Sequence, residues 1–104
     1  MAKRTRLVWS QPALDSLLEI VRHIQADNLA TAHRFAEQIK RKVSRLAAFP
    51  DSGRIVPEFP ASGLREIIVG DYRIIYRAAE RPLRVEILTV RHGARLLPEA
   101  VDSP

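Results

Sequence analysis

Residues 64 to 95, LREIIVGDYRIIYRAAERPLRVEILTVRHGAR, read as three short strands studded with arginine. Ile, Val and Tyr alternating with charged residues is the pattern of strands that bury one face. Gly70-Asp71 separates the first two runs, and a two-residue link led by glycine suits a type II′ turn. That link sets a register in which Val69 faces Tyr72, Ile67 faces Ile74 and Arg65 faces Tyr76. Because side chains alternate along a strand, this register gathers the bulkiest apolar groups on one side, the expected core. The other side carries Glu66, Ile68, Arg73, Ile75 and Arg77, and is expected to meet water or a polar partner. The third run, residues 83 to 90, alternates less cleanly, and the irregular link at residues 78 to 82 leaves its register open.

Ahead of these strands, a first strand is expected at residues 6 to 9. Ser10 then stands as an N-cap, with Pro12 in the first helical turn, where a missing N–H costs little. Leu14, Leu17, Leu18, Val21 and Ile24 recur at helical spacing, predicting a helix to about Gln25 that Asp27-Asn28 breaks. From Asn28, a second cap, Ala32, Phe35, Ala36, Ile39, Val43 and Leu46 draw an apolar stripe to about residue 48. Arg34, Lys40, Arg41, Lys42 and Arg45 lie mostly off that stripe. So short a link between two helices predicts an antiparallel hairpin that buries both stripes against the sheet and each other. Pro50, Gly53, Pro57 and Pro60 punctuate residues 49 to 63, where helix cannot persist. Such a loop is either functional or a packed surface crossing. The resulting order, β-α-α-β-β-β, predicts an α+β fold with the helical hairpin packed on a small antiparallel sheet.

The 104 residues suit one domain spanning residues 1 to 104, with a frayed tail after about residue 97. No apolar run approaches the ~20 residues that span a bilayer, and no signal-peptide pattern follows the basic start, so a soluble, cytoplasmic protein with no membrane partner is expected. The chain has no cysteine and three histidines, His23, His33 and His92, without short metal-binding spacing, so no metal or other cofactor is expected. No phosphate-binding loop, dinucleotide fingerprint or nucleophile elbow occurs. Net charge is +5, unevenly spread: residues 1 to 50 hold nine Lys or Arg against four acids, while the remainder holds eight of each. A basic excess of this kind attracts acidic partners, whether nucleic acid or an acidic protein segment.

Taken together, the helical hairpin, FPDSGRIVPEF at residues 49 to 59, LREIIVGDYRIIYR at 64 to 77 and VRHGAR at 90 to 95 resemble the RelE/ParE superfamily of bacterial toxins over nearly the whole chain. The resemblance implies the toxic half of a type II toxin-antitoxin operon. It further implies neutralisation by a ParD-like or RelB-like antitoxin, and contact with operator DNA only through that antitoxin. Within the superfamily, some members are ribosome-dependent mRNA endonucleases and others inhibit DNA gyrase, and one scaffold serves both.

For a nuclease, the resemblance places a general base at Glu58, the phosphate cation at Arg73 and the leaving-group acid at His92, the three roles that RNA cleavage by its own 2′-hydroxyl requires. Arg54, Arg65, Arg77, Arg91 and Arg95 supply further positive charge for an anion or target. The lysine pair of the RelE branch is absent, with Leu64 and Glu66 in its place, and Gly93 replaces the tyrosine that follows the histidine in the YoeB type. For a gyrase inhibitor, the long second helix resembles the ParE branch, and Arg34, Lys40, Arg41, Lys42 and Arg45 form a partner-binding face without catalysis. A third reading is a degenerate member that retains antitoxin binding without toxicity. Quieter roles compete for each residue: Arg73 and Arg77 pairing with Glu66 or Glu86, Glu58 pairing with Arg54, His92 as a structural strand-end residue, and the basic helix face as a solvated one. Trp9 is read as core.

Overall fold

A computed structural model describes residues 5–80, 83–94 and 97. The chain runs β1 (Arg6–Trp9), α1 (Gln11–Asp27), α2 (Leu29–Arg45), β2 (Arg54–Ile55), β3 (Leu64–Val69), β4 (Tyr72–Glu80) and β5 (Leu83–His92). Both helices begin where the caps predict. The Ser10 hydroxyl accepts from the Ala13 N–H at 3.1 Å and donates to the Leu88 carbonyl at 3.1 Å, so one side chain starts α1 and ties it to β5. Asn28 alone links the helices: its N–H donates to the Ile24 carbonyl and its side-chain oxygen accepts from the Thr31 N–H at 2.9 Å.

The five strands form one sheet in the order β1-β5-β4-β3-β2. β1 runs parallel to β5, so the sheet is mixed rather than antiparallel throughout, and the expected loop contributes the two-residue strand β2 at the other edge. Parallel pairing is possible here because the helical hairpin between β1 and the later strands supplies the long crossover it needs. The hairpin register is as expected, with Val69 opposite Tyr72, Ile67 opposite Ile74 and Arg65 opposite Tyr76. Gly70 takes φ 58°, while no described non-glycine residue has positive φ, which fits a turn with glycine at its first central position. The irregular link at residues 78 to 82 hid further pairing: β4 continues to Glu80, which faces Leu83, and a bulge between Ile75 and Tyr76 leaves Leu88 unmatched on β5.

The inner face of the sheet meets the helices. Ala13, Phe35, Ile39, Val43 and Leu46 pack there on Val69, Ile74, Tyr76, Val85, Ile87 and Val90, with Leu7, Trp9, Leu17, Ile20, Val21 and Ile24 closing the margin. Burial of each large member stabilises by roughly 1.5–3 kcal/mol. Two parts of the helical stripes depart from expectation. Ala36 is exposed, and α1 is too wide in apolar surface for its seat, leaving Leu14 and Leu18 39% and 52% exposed.

The outer face is where the sequence-based expectation fails most. Glu66, Arg73 and Ile75 are buried, at 1%, 5% and 0% exposure, because residues 49 to 63 pack back across the sheet instead of leaving that face to water. Val56, with Phe59 beside it, covers Leu64, Ile75 and Leu88, and Leu97 completes this second cluster. The loop is a packed crossing.

Candidate functional site

The residues assigned to chemistry divide between the two faces of the sheet. Glu58 comes from the outer crossing, just past β2, and Arg73 from β4 on the same face. The Arg73 guanidinium donates through Nη1 and Nη2 to the two Glu58 oxygens at 2.6 and 2.7 Å, a bidentate pair. Its Nε and Nη2 donate to Glu66 Oε1 at 2.8 and 2.5 Å, and Glu66 Oε2 accepts from Arg54 Nε at 2.5 Å. The result is a chain of alternating charge, Arg54, Glu66, Arg73, Glu58, in which exposed Arg54 and part-buried Glu58 flank a fully buried carboxylate and a buried guanidinium. Glu58 Oε2 also accepts the Leu97 N–H at 3.2 Å.

This geometry tunes the carboxylate. Hydrogen bonding from Arg73 is the largest cause that lowers the Glu58 pKa, to about 2, against an opposing effect of burial. Pairing with Glu58 correspondingly raises the Arg73 pKa above its already high ordinary value. A folded pKa below the unfolded 4.5 means that the ionised Glu58 stabilises the fold above about pH 4.5, and that this contribution is lost as pH falls toward 2. Acid titration of unfolding free energy should show that loss, up to about 3 kcal/mol, and Glu58→Gln should flatten the profile in the same window.

His92 sits elsewhere. It is the register partner of Tyr72, its ring 5.5 Å from the tyrosine ring and edge-on, and Tyr72 in turn lies 5.1 Å from Phe35 of α2. That chain of rings places His92 on the inner, helix-bearing face, whereas Glu58 and Arg73 occupy the outer one. Its Nδ1 accepts the Ala94 N–H at 3.2 Å. His92 lines a cleft of about 670 Å³ with Ser16, Glu19, His23, Tyr72 and Ala94, all exposed to or bordering solvent. The residue beside Arg73 on β5 is Arg91, its register partner, whose buried Nε has no hydrogen-bond partner among the described residues. The YoeB-type tyrosine would have no place at Gly93 without a shift, since the Gly93 N–H donates to the Asp71 carbonyl at 2.7 Å and an added Cβ would stand 3.1 Å from that oxygen.

The remaining candidates fall into three groups. Arg65 points to the inner margin, donating to the Gly53 carbonyl at 2.8 Å and lying 3.8 Å from Asp51. Arg77 is the register partner of Glu86 across β4 and β5, part-buried on the outer face. Arg34, Lys40, Arg41, Lys42 and Arg45 are all exposed on α2, with Lys42 donating to the Ile68 carbonyl at 3.1 Å. Arg95 lies outside the described residues. The expected pairing of Glu58 with Arg54 is replaced by Glu58 with Arg73 and Arg54 with Glu66. The pairing of Arg73 with Glu66 is as expected, and Glu66 also accepts from Arg54, which makes it the hub of the network. Its alternation with Ile67 put it on the outer face, and only the covering loop makes it buried.

With this geometry in hand, likeness to other proteins can be placed. Residues 7–97 match the family model described as ParE toxin of type II toxin-antitoxin system, parDE. The candidate toxin Y4kP of Sinorhizobium fredii (strain NBRC 101917 / NGR234) is 35% identical over 100 residues, covering 94% of this chain and 98% of that protein. Among solved structures, a chain of the chromosomal ParDE toxin-antitoxin system from P. aeruginosa superposes with TM-score 0.70 at 19% identity, covering 85% of this chain and 95% of that one. A chain of the RelBE2 toxin-antitoxin complex from Mycobacterium tuberculosis gives TM-score 0.57 at 22% identity, covering 86% and 99%. At these identities the structures speak for the α+β fold, while the family model spans most of the sequence. The chain therefore belongs to the ParE toxin family of type II toxin-antitoxin systems.

Proposed function

We propose that this toxin arrests growth by binding DNA gyrase rather than by cutting RNA, and that a cognate ParD-like or RelB-like antitoxin masks its basic surface. One observation carries the reading: the three groups that acid–base cleavage of RNA needs do not converge. A base must reach the 2′-hydroxyl, yet Glu58 is saturated by Arg73 and by the Leu97 N–H, with a pKa far below neutrality. The cation at the phosphate must be available, yet Arg73 is shared by two carboxylates. The acid, His92, is on the far side of the sheet. What remains exposed suits protein recognition, with cationic side chains along α2 and apolar Leu14 and Leu18 on α1. Operator DNA is contacted only through the antitoxin, and the protein acts in the cytoplasm as a single domain without a cofactor.

One observation favours ribosome-linked mRNA cleavage as the second reading. Arg73 and Arg91 stand side by side on the outer face, and the Arg91 Nε–H, without a hydrogen-bond partner among the described residues, has a hydrogen left to donate to an anion.

Inducible expression without antitoxin distinguishes the readings. Gyrase inhibition gives growth arrest with an SOS response and intact transcripts, and His92→Ala leaves the arrest within about twofold of wild type. Cuts in translated mRNA that disappear in the folded His92→Ala protein would reject the gyrase reading. Unimpaired growth with abundant soluble protein would instead mark a member that keeps antitoxin binding alone.

A further inference from the structure

Three side chains that helical spacing marks as core stay outside it: Leu14 and Leu18 are 39% and 52% exposed, and Ala36 is exposed as well. Each follows a sheet-facing residue, Ala13, Leu17 or Phe35, by one position and so lies about 100° further around its helix. On α2 that rotation leads toward α1. Lys42, rotated the opposite way from Val43, reaches the Ile68 carbonyl of β3, whereas α1 packs on β5. In an antiparallel neighbour the sense reverses, so Leu14 and Leu18 turn toward α2, and all three line one seam along the outside of the helical hairpin. Leu29, two turns before Ala36, extends that row and is 61% exposed.

The two sides of the seam differ in charge. α1 carries Asp15, Glu19 and Asp27 against Arg22, while α2 carries Arg34, Lys40, Arg41, Lys42 and Arg45 against Glu37, all of them exposed. Among the described residues, none of these joins an ion pair. We propose that this seam binds the same seam of a second copy of the chain, the two hairpins stacking across a two-fold axis into a four-helix layer. Such an axis sets each α1 on the α2 of the other copy, so an acidic helix meets a basic one in both halves and a single surface is its own complement. The helices also match in length, at 17 residues each. Leu18 and Ala36 each stand one position before the middle of their helix, so the axis lays the large side chain of one copy on the small one of the other. A purely acidic partner would suit α2 but would set like charges against Asp15 and Glu19, which is why a second copy fits the seam better.

Sedimentation velocity of the full chain, free of antitoxin, tests the proposal. Wild type should be mainly dimeric at about 100 µM, as suits a weak, reversible interface. Leu18→Glu, at a half-exposed position, should raise the dissociation constant at least about tenfold with an unchanged circular dichroism spectrum. Asp15→Lys with Glu19→Lys leaves both helices basic, and Arg34→Glu, Lys40→Glu and Arg41→Glu together leave both acidic. Each set alone should be monomeric at that concentration, while an equal mixture of the two should associate to within about threefold of wild type. Wild type that is monomeric at about 100 µM would overturn the proposal, as would a dimer that survives Leu18→Glu or a mixture of the two charge variants that stays monomeric. Loss of antitoxin binding in Leu18→Glu, with wild type monomeric, would give the seam to the antitoxin instead. Neither gyrase nor growth enters the measurement, so its failure leaves the gyrase reading standing.

Discussion

Arg73→Ala should lower the free energy of unfolding by about 3–5 kcal/mol, read from urea denaturation at neutral pH. The cost is not the loss of favourable contacts as such. It is that Glu66, whose side chain is fully inaccessible, keeps its charge with only the half-exposed Arg54 as partner, and that Glu58 loses both donors of its bidentate pair. Arg73→Lys should recover less than half of the deficit, because a single ammonium cannot bridge two carboxylates that the planar fork reaches with three nitrogens. Replacing Glu58, Glu66 and Arg73 together by Leu, Leu and Met should be far milder than Arg73→Ala alone, since an apolar set leaves no uncompensated charge. If Arg73→Ala unfolds at the wild-type urea midpoint, the network contributes nothing to stability. The same reasoning explains why activity loss in an Arg73 variant says little about catalysis until its folding has been measured.

Tyr76→Ala is expected to cost about as much, some 3–5 kcal/mol, through a different cause. Tyr76 is fully buried at the centre of the inner core. Its hydroxyl accepts the Gly53 N–H at 2.9 Å and donates to the Pro50 carbonyl at 2.8 Å, pinning the start of the outer crossing from the inner side of the sheet. Burial raises the pKa of this phenol, as expected for a group that must stay neutral there. Tyr76→Phe keeps the ring and orphans two backbone groups, so it should cost about 1–3 kcal/mol and separate packing from hydrogen bonding. Gly53→Ala probes the other half of the contact. An added Cβ would stand 2.6 Å from the Tyr76 hydroxyl oxygen, 2.7 Å from its Cε1 and 2.7 Å from the Glu66 backbone oxygen. With a core ring on one side and a strand on the other, neither neighbour can retreat cheaply, and destabilisation of at least about 1–3 kcal/mol follows. A thermal melt of Gly53→Ala that matches wild type would refute this close packing.

Much of the architecture follows from short-range rules written in the residues. Ser10 and Asn28 cap as their side chains allow, the Phe35, Ile39, Val43 and Leu46 stripe is buried at helical spacing, and Gly70-Asp71 alone establishes which residues face one another across β3 and β4. Each of these is a local decision, made within a turn or two of chain. The site was less legible. Alternation correctly put Glu66, Arg73 and Ile75 together on the outer face, yet the charge of that face suggested water. Nothing in residues 49 to 63 has the periodicity that would announce a packed layer, and one buried hydrophobic side chain, Val56, is too small a signal to read.

Which side chains share a face of the helices and of the β3–β4 hairpin was decided by the sequence alone, because rotation along helix and strand is dictated by backbone geometry. Whether Arg73 meets solvent or two carboxylates, whether His92 stands beside it or across the sheet, and where Leu97 comes to rest were decided only in the tertiary structure. Those outcomes depend on a crossing that folds back over the sheet, on a one-residue bulge in β5, and on β1 joining the sheet in parallel after two helices. All three are long-range contacts, whose energies come from apolar area and charge pairing between segments that carry no record of one another in local sequence.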